Sequence, residues 1–172
     1  MSRTEYRLIP GEWNKQYHRM MRYYWRFEKF GSGSEQISKD DAEDVVISFF
    51  QNCYHLKDWL KSDVRSIDYV KDIEKFINRS QNLSLCADIA NGSKHLKLNK
   101  SSRSKVIQKT QRINYHHVLE IGSGSEGVKY SLKSITWTIE TDKENFDGFK
   151  LATTCVNELR EYLYNKGLIV KI

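Results

Sequence analysis

The chain has 172 residues and a formal net charge of +6, with 39% hydrophobic and 29% charged residues. This composition is typical of one folded domain and excludes a disordered or fibrous chain. Three widely spaced cysteines without a Cys-x-x-Cys pair exclude a disulfide framework and predict reduced, buried thiols in a cytoplasmic protein. The first ten residues lack an apolar leader and no run is long enough to span a bilayer, so we expect no membrane partner.

Helical periodicity dominates the first half of the chain. Aromatic and Met residues at three- and four-residue spacing predict a helix over about 11–30, which the Gly-Ser loop at 31–34 ends. Ser38, with Asp41 three residues later, predicts the N-cap of a second helix that continues to about Lys61. A shorter helix is expected over about 67–78. A fourth begins near Asn82 and extends past Gly92.

After residues 99–109 the spacing between hydrophobic residues changes from about four residues, typical of a helix, to two, typical of a strand. Alternation over 113–121, 128–132 and 135–139 predicts an antiparallel ribbon, and the change of parity predicts a bulge near Lys133 and Ser134. A turn over 142–148 and a last helix over about 149–165, with Gly167 as its cap, complete the chain. We therefore expect a mainly α (α+β) fold. It comprises a four-helix bundle over 1–98 and a basic connector, β ribbon and closing helix over 99–172, packed together as one domain.

The run from Gly122 to Gly127 matches the dinucleotide-binding pattern G-x-G-x-x-G. That pattern holds a pyrophosphate only between a strand and a helix. Here it stands between two strand-like runs, so it predicts a hairpin turn rather than a nucleotide site. No cofactor is expected.

A polar strip on the fourth helix precedes a strongly basic stretch. Ser84, Asp88, Asn91 and His95 project close together, opposite the face of Ile89. They are either an ordinary solvated face or a site that offers an acceptor, an amide and an imidazole. No acidic residue follows Asp88 until Glu120. The intervening basic residues, which predict a phosphate-binding segment or a cationic loop, are Lys94, Lys97, Lys100, Arg103, Lys105, Lys109 and Arg112.

His55 and Trp59 form a second unusual pair, on the second helix. Both project away from its apolar stripe, so they predict either an interface or a helix that is buried on two faces. His55, Asp58, Asp88 and His95 also form a candidate metal-ligand set, but the H-E-x-x-H and Glu-x-x-His signatures are absent and we assign no metal.

The run Cys53–Trp59 followed by the run Asp88–His95 resembles the HEPN superfamily. Members are helical bundles, often dimeric, that are common in toxin–antitoxin and anti-phage systems. In active members a His and an Arg on one helix, with a polar residue after the Arg, cleave RNA across a dimer cleft without metal. The resemblance covers about residues 11–98 and implies that His95 takes the place of the family His and Asn91 that of the polar residue. Ala90 stands where the family has Arg.

Two functions follow as alternatives. In the first, the resemblance implies an RNA-directed, metal-independent ribonuclease or RNA binder. There His95 moves a proton, Asn91 orients the phosphate or the imidazole, and Asp88 and His55 support the site. In the second, the chain is a catalytically inactive module that binds nucleic acid, a second copy of itself or a cognate protein, with Trp59 at the interface. A metal-dependent hydrolase is a third, less favoured class.

Overall fold

The computed structural model describes residues 5–32, 34, 37–92, 112–124, 127–140 and 144–172. These residues form a mainly helical fold with two small antiparallel sheets. The elements in chain order are β1 (Tyr6–Leu8), α1 (Trp13–Gly31), α2 (Lys39–Ser62), α3 (Ile73–Arg79), α4 (Gln81–Gly92), β2 (Arg112–Gly124), β3 (Gly127–Glu140), β4 (Asn145–Asp147), α5 (Gly148–Asn165) and β5 (Ile169–Lys171).

Four long helices pack in a ring in which α1 contacts α2, α2 contacts α4, α4 contacts α5 and α5 contacts α1. The apolar stripes predicted for α1, α2 and α5 face this ring, and nearly all of their members are buried. The fourth long helix of the ring is α5, however, and not the third helix of the sequence. The closing helix is therefore part of the bundle, and the short α3 lies against α4 and α2.

The predicted start of α2 is confirmed. The Ser38 hydroxyl accepts a hydrogen bond from the Asp41 amide at 3.1 Å and donates one to the Asp41 carboxylate at 2.6 Å. Asp40 and Asp41 place negative charge on the first turn, where the free N–H groups of the helix favour it. This capping pattern involves only residues that are close in sequence, and contacts with the rest of the fold do not override it.

The predicted start of the third helix is wrong. Residues 64–69 form turns, and α3 begins only at Ile73. The Asp63 side chain accepts from the Arg65 amide at 2.8 Å, and the Ser66 hydroxyl donates to the Leu60 carbonyl at 2.7 Å. These local hydrogen bonds pair side chains with backbone groups in single turns, and the turns do not continue as a helix. Ile67, the expected first residue of that helix, is 43% exposed.

Asp63 also connects the end of α2 to the beginning of α1. Its carboxylate accepts from the Trp13 amide at 3.0 Å, so it satisfies a free N–H group at the N-terminus of α1 from a position 50 residues away. Burial alone would raise the pKa of Asp63, but the backbone donors of Arg65, Trp13 and Glu12 hold it below its usual value. This contact orients α1 against α2.

The strand pattern is confirmed, including its irregularity. In the antiparallel pair of β2 and β3 the register shifts between Val118, opposite Ser134, and Leu119, opposite Leu132, so Lys133 is the bulged residue. Of the glycine-rich run, Gly122 and Gly124 belong to β2 and Gly127 to β3, with Gly124 opposite Gly127. β4 occupies part of the predicted turn and pairs with the end of β3.

The ribbon is attached to the bundle at the C-terminal end of β3. Trp137 is 2% exposed and contacts Phe30 of α1 edge to face, with 6.1 Å between ring centroids. A Cβ atom at Gly148, the first residue of α5, would lie 3.2 Å from the Cβ and carbonyl oxygen of Trp137, so a glycine allows this close approach.

The two ends of the described chain pair with each other. β1 and β5 are antiparallel, with Arg7 opposite Val170. Gly167 precedes β5 with φ of +70°, which confirms its predicted role as the residue that ends α5. Strands of three residues carry too little alternation to be recognised from sequence.

Candidate nucleic-acid interface

The structure describes only some of the residues that the sequence nominated. Asp88 and Asn91 lie on α4, His55 and Trp59 lie on α2, and Arg112 begins β2 opposite Glu140. The others lie outside the described residues: His95, Lys94, Lys97, Lys100, Arg103, Lys105 and Lys109.

The polar strip on α4 does not face solvent as a helical projection suggests. Every residue from Leu83 to Ala90 is buried, including Ser84 at 2% and Asp88 at 3% exposure. The reason is that α2, α3 and α5 all contact α4, which leaves no free face over these two turns. Ser84 uses its hydroxyl within the fold and donates to the Ile77 carbonyl at 3.0 Å. Asn91 and Gly92, the last described residues of the helix, are half-buried.

Burial changes the role that Asp88 and Ala90 can have. A carboxylate at 3% exposure does not touch a large substrate, so Asp88 is excluded from direct contact with RNA. Ala90 is fully buried, and an Arg side chain at that position would enter the packed core. Residues that meet a ligand at this end of α4 therefore follow Ala90 in the chain.

α2 and α4 run antiparallel, which separates His55 from Asn91. The Cys86 thiol of α4 donates to the Phe50 carbonyl of α2 at 3.6 Å, whereas Glu74 of α3, which leads into α4, lies 3.2 Å from the ammonium groups of Lys57 and Lys61 further along α2. The chain from Glu74 to Cys86 thus runs against the direction of α2. At about 1.5 Å per residue, His55 and Asn91 lie about 15 Å apart along the helix axes. The structure does not bring them to one point within a single chain.

The C-terminal half of α2 carries its own polar and aromatic surface. The Arg19 guanidinium of α1 lies over the Trp59 ring, 5.7 Å from its centroid, so α1 covers part of this half-buried Trp. Next to it is an open hollow of about 570 Å³. Its lining residues are Glu12, Asp58, Trp59, Ser62, Asp63 and Val64.

Lys57 is the buried cation of this surface. Its ammonium lies 2.6 Å from the Asp58 carboxylate, 3.2 Å from the Glu74 carboxylate and 4.6 Å from the centroid of the Tyr54 ring. Burial opposes the charge, but these neighbours raise the pKa of Lys57 above its usual value. Burial would raise the pKa of Glu74, but Lys61 and Lys57 hold it below its usual value. Lys57 is thus engaged in the fold and is not a free phosphate ligand.

One convergence of residues was not visible in the sequence spacing. Cys53, Cys86 and Cys155 lie on α2, α4 and α5, and all three are buried in the same hydrophobic core. The sequence predicted buried reduced thiols but carried no signal that three helices would bring them into one core. Among the described residues, no group of three or more His, Cys, Asp or Glu side chains is arranged to hold a metal ion, the cysteines included.

Comparisons with protein-family models, with curated proteins and with solved structures found no match to this chain. The fold therefore defines the class of protein: a mainly helical domain with small antiparallel sheets. In the part of the chain that the structure describes, no helix has the length and apolar character needed to cross a membrane.

Proposed function

We propose that the chain binds RNA through residues 94–112, the basic segment, and that it is a HEPN-like, metal-independent ribonuclease of a toxin or anti-phage system with His95 in the active site. The supporting observation is the distribution of charge. The basic segment holds seven of the 28 Lys and Arg residues and none of the 22 acidic ones. The remaining 21 basic and 22 acidic residues nearly cancel, so the whole excess of positive charge lies in this one segment. Concentrated positive charge is the usual footprint of phosphate binding.

Both ends of the basic segment are continuous with fixed elements. On the N-terminal side α4, with Leu85 and Ile89 fully buried, ends at Gly92. On the C-terminal side Arg112 is the first residue of β2, in register with Glu140 of β3. A polyanion bound by the segment is consequently attached to the folded core at two points.

The acidic hollow beside Trp59 favours the basic segment over α2 as the RNA surface. Three of its six lining residues are carboxylates: Glu12, Asp58 and Asp63. Carboxylates repel phosphate, and the nearby Lys57 is already paired with Asp58 and Glu74. Trp59 and His55 therefore have a separate role from RNA phosphate binding.

The catalytic part of the proposal centres on His95, four residues beyond Asn91. An ordinary imidazole exchanges protons near neutral pH, so His95 can serve as a general base or acid towards a ribose hydroxyl or a leaving oxygen. Asn91, half-buried where α4 ends, offers an amide to the phosphate or the imidazole. Asp88, buried one turn earlier, is a positioning residue. The cationic groups that would stabilise the phosphate are those of the basic segment, since Ala90 supplies none.

Fluorescence anisotropy with a labelled single-stranded RNA of about 20 nucleotides tests the binding part. We expect Lys97→Gln/Lys100→Gln/Arg103→Gln to weaken binding about 10- to 100-fold at roughly 0.1 M salt, because three phosphate contacts are lost. The matched control is Lys15→Gln/Lys71→Gln/Lys75→Gln, three exposed lysines whose loss changes the net charge equally. Equal weakening by both triple variants would mean that RNA binding depends on the overall charge of the protein and not on the basic segment.

Incubation with total RNA in the presence of EDTA tests the catalytic part. We expect cleavage by the wild type, its loss in His95→Ala and its retention in His18→Ala, which removes an exposed imidazole from α1. Cleavage that persists in His95→Ala would remove this residue from the mechanism. Binding without any cleavage would leave an RNA-binding protein and no ribonuclease.

The hollow beside Trp59 favours a second candidate function, an interface with another protein or a second copy of the chain. Val64 at its rim is 87% exposed, and Ile67 and Tyr69 follow at 43% and 58%. Exposed apolar groups of this kind are typical of a contact surface. Light scattering of Val64→Asp and Trp59→Ala against the wild type tests self-association through this surface. A wild type that is monomeric over the whole concentration range would contradict it.

A further inference from the structure

The outward face of α1 carries a row of cations, which we call the α1 cationic face. It consists of Arg19, Arg22, Arg26 and Lys29, which follow one another at three- and four-residue spacing and are all exposed. At 100° per residue they lie within an arc of about 80° and extend over about 15 Å of the helix. Glu28, the acidic residue of this helix, is half-buried and projects about 140° away from the middle of the row.

Aromatic rings lie against two of these cations and beside the row. The Arg26 guanidinium is over the Tyr23 ring, 5.9 Å from its centroid, and the Arg19 guanidinium is over the Trp59 ring. A guanidinium that stacks on a ring loses rotational freedom, but the N–H groups at its edge can still donate to an acceptor. On the other side of the row, Trp25 is 39% exposed. The face thus combines oriented donors with an exposed apolar ring.

The charges around the α1 cationic face favour a short ligand over a long polyanion. Towards the start of α1 the row is followed by Glu12, which pairs with Lys15. Glu12 also lines the acidic hollow beside Trp59, together with Asp58 and Asp63. A phosphate chain that continued along α1 in this direction would meet carboxylates that repel it. A protein segment can instead place its negative charges only where the cations are.

We propose that the α1 cationic face binds an acidic helix of a partner protein, with carboxylates at three- and four-residue spacing. Such carboxylates share one face of their helix and repeat about every 5–6 Å, as the cations of α1 do. The guanidinium groups of Arg19, Arg22 and Arg26 donate to these carboxylates. Trp25 contacts apolar side chains beside them, and Arg, Trp and Tyr are the residues enriched where protein interfaces bind most strongly. This binding does not depend on the proposed RNA binding.

Two synthetic peptides test the proposal on the full chain. Both are alanine-based helices of about 20 residues with the same Glu and Leu content. In the first peptide the Glu residues occupy one face with Leu beside them, and in the second they are spread evenly around the helix. Circular dichroism verifies that the two are equally helical. In fluorescence anisotropy at roughly 0.05 M salt, we expect the first to bind about 10-fold more tightly, because it alone can contact several cations at once.

Three arginines and their matched control locate the binding surface. Arg19→Gln/Arg22→Gln/Arg26→Gln should weaken binding of the first peptide about 10-fold, because it removes three charged donors. The control Lys71→Gln/Lys75→Gln/Lys150→Gln removes the same charge from exposed positions elsewhere and should leave this binding unchanged. Thermal melting followed by circular dichroism verifies that each variant is folded, and the comparison of the two peptides on the wild type needs no variant.

The outcomes distinguish this proposal from RNA binding. Equal affinity of the wild type for both peptides, or equal weakening by both triple variants, would overturn it. Lower affinity of the arginine variant for the labelled single-stranded RNA would also overturn it, because the face would then be an RNA surface. A wild type that binds the first peptide selectively but does not bind RNA would support this proposal and contradict the proposed function alone.

Discussion

The helical bundle and the basic segment use charge in opposite ways. In the bundle, acidic side chains bond to specific partners that fix the fold: Asp63 to backbone amides of α1 and the following turn, and Asp72 to Tyr162 and Lys166 of α5 and its end. In the basic segment, seven cations follow one another without any acidic residue. Under the proposed function, bundle charges serve stability and segment charges bind RNA. Substitutions in the bundle should therefore leave RNA affinity unchanged, and substitutions in the basic segment should leave the stability of the fold unchanged.

The largest effect on stability is expected in the core of α4. Leu85 is fully buried, so Leu85→Ala should lower the free energy of unfolding by about 2–5 kcal/mol because it removes buried apolar surface and leaves a cavity. Urea unfolding measures this. Under conditions where the variant is still folded, its affinity for RNA should equal that of the wild type. A loss of affinity in the folded variant would break the separation between the two regions.

A smaller effect is expected at Asp63. Asp63→Ala leaves the Trp13 and Arg65 amides without their acceptor, so it should cost about 1–3 kcal/mol. Because the pKa of Asp63 is lowered in the folded state, its carboxylate stabilises the fold above the unfolded pKa of about 3.9 and ceases to do so as pH falls through the folded value.

Urea unfolding of Asp63→Ala and the wild type as a function of pH measures this contribution. The difference in free energy of unfolding should be constant between about pH 5 and 7 and should shrink below about pH 4. A difference that grows on acidification would mean that the carboxylate is not the stabilising group.

The smallest effect on stability is expected at Asp72. Lys166 and Tyr162 bond to its carboxylate and lower its pKa, but its side chain is 53% exposed. Asp72→Asn should therefore cost no more than about 1 kcal/mol. The matched control is Asp68→Asn. Asp68 pairs with Lys71 and both side chains are largely exposed, so this substitution should change stability very little. Thermal unfolding compares the two variants. Identical midpoints would show that the contact between α5 and Asp72 adds nothing.

Local sequence signals predicted the parts of the fold that depend on neighbours in the chain. The cap at Ser38, the bulge at Lys133 and the helix end at Gly167 are each encoded within a few residues. The solvent exposure of α4 was not predictable in this way. A helical projection shows which residues share a face, but not how many helices surround it, and here Ser84 and Asp88 are covered by neighbours that come from elsewhere in the chain.

Long-range contacts explain what the sequence left open at the candidate sites. Nothing in the spacing of Cys53, Cys86 and Cys155 indicates that they share one core, since this depends on the order of helices in the ring. The distance between His55 and Asn91 likewise depends on the antiparallel direction of α2 and α4. The nomination of His95 and of the lysines from 94 to 109 is a sequence prediction that the described residues do not test.

The salt dependence of RNA affinity tests the central claim most directly. On a plot of log affinity against log salt, each phosphate contact contributes about 0.7 to the slope for a single strand. Lys97→Gln/Lys100→Gln/Arg103→Gln should therefore make the slope shallower by about 2, with an unchanged midpoint of urea unfolding. Lys15→Gln/Lys71→Gln/Lys75→Gln should leave the slope as it is in the wild type. A wild-type affinity that does not depend on salt, or the same slope for both triple variants, would contradict RNA binding by the basic segment.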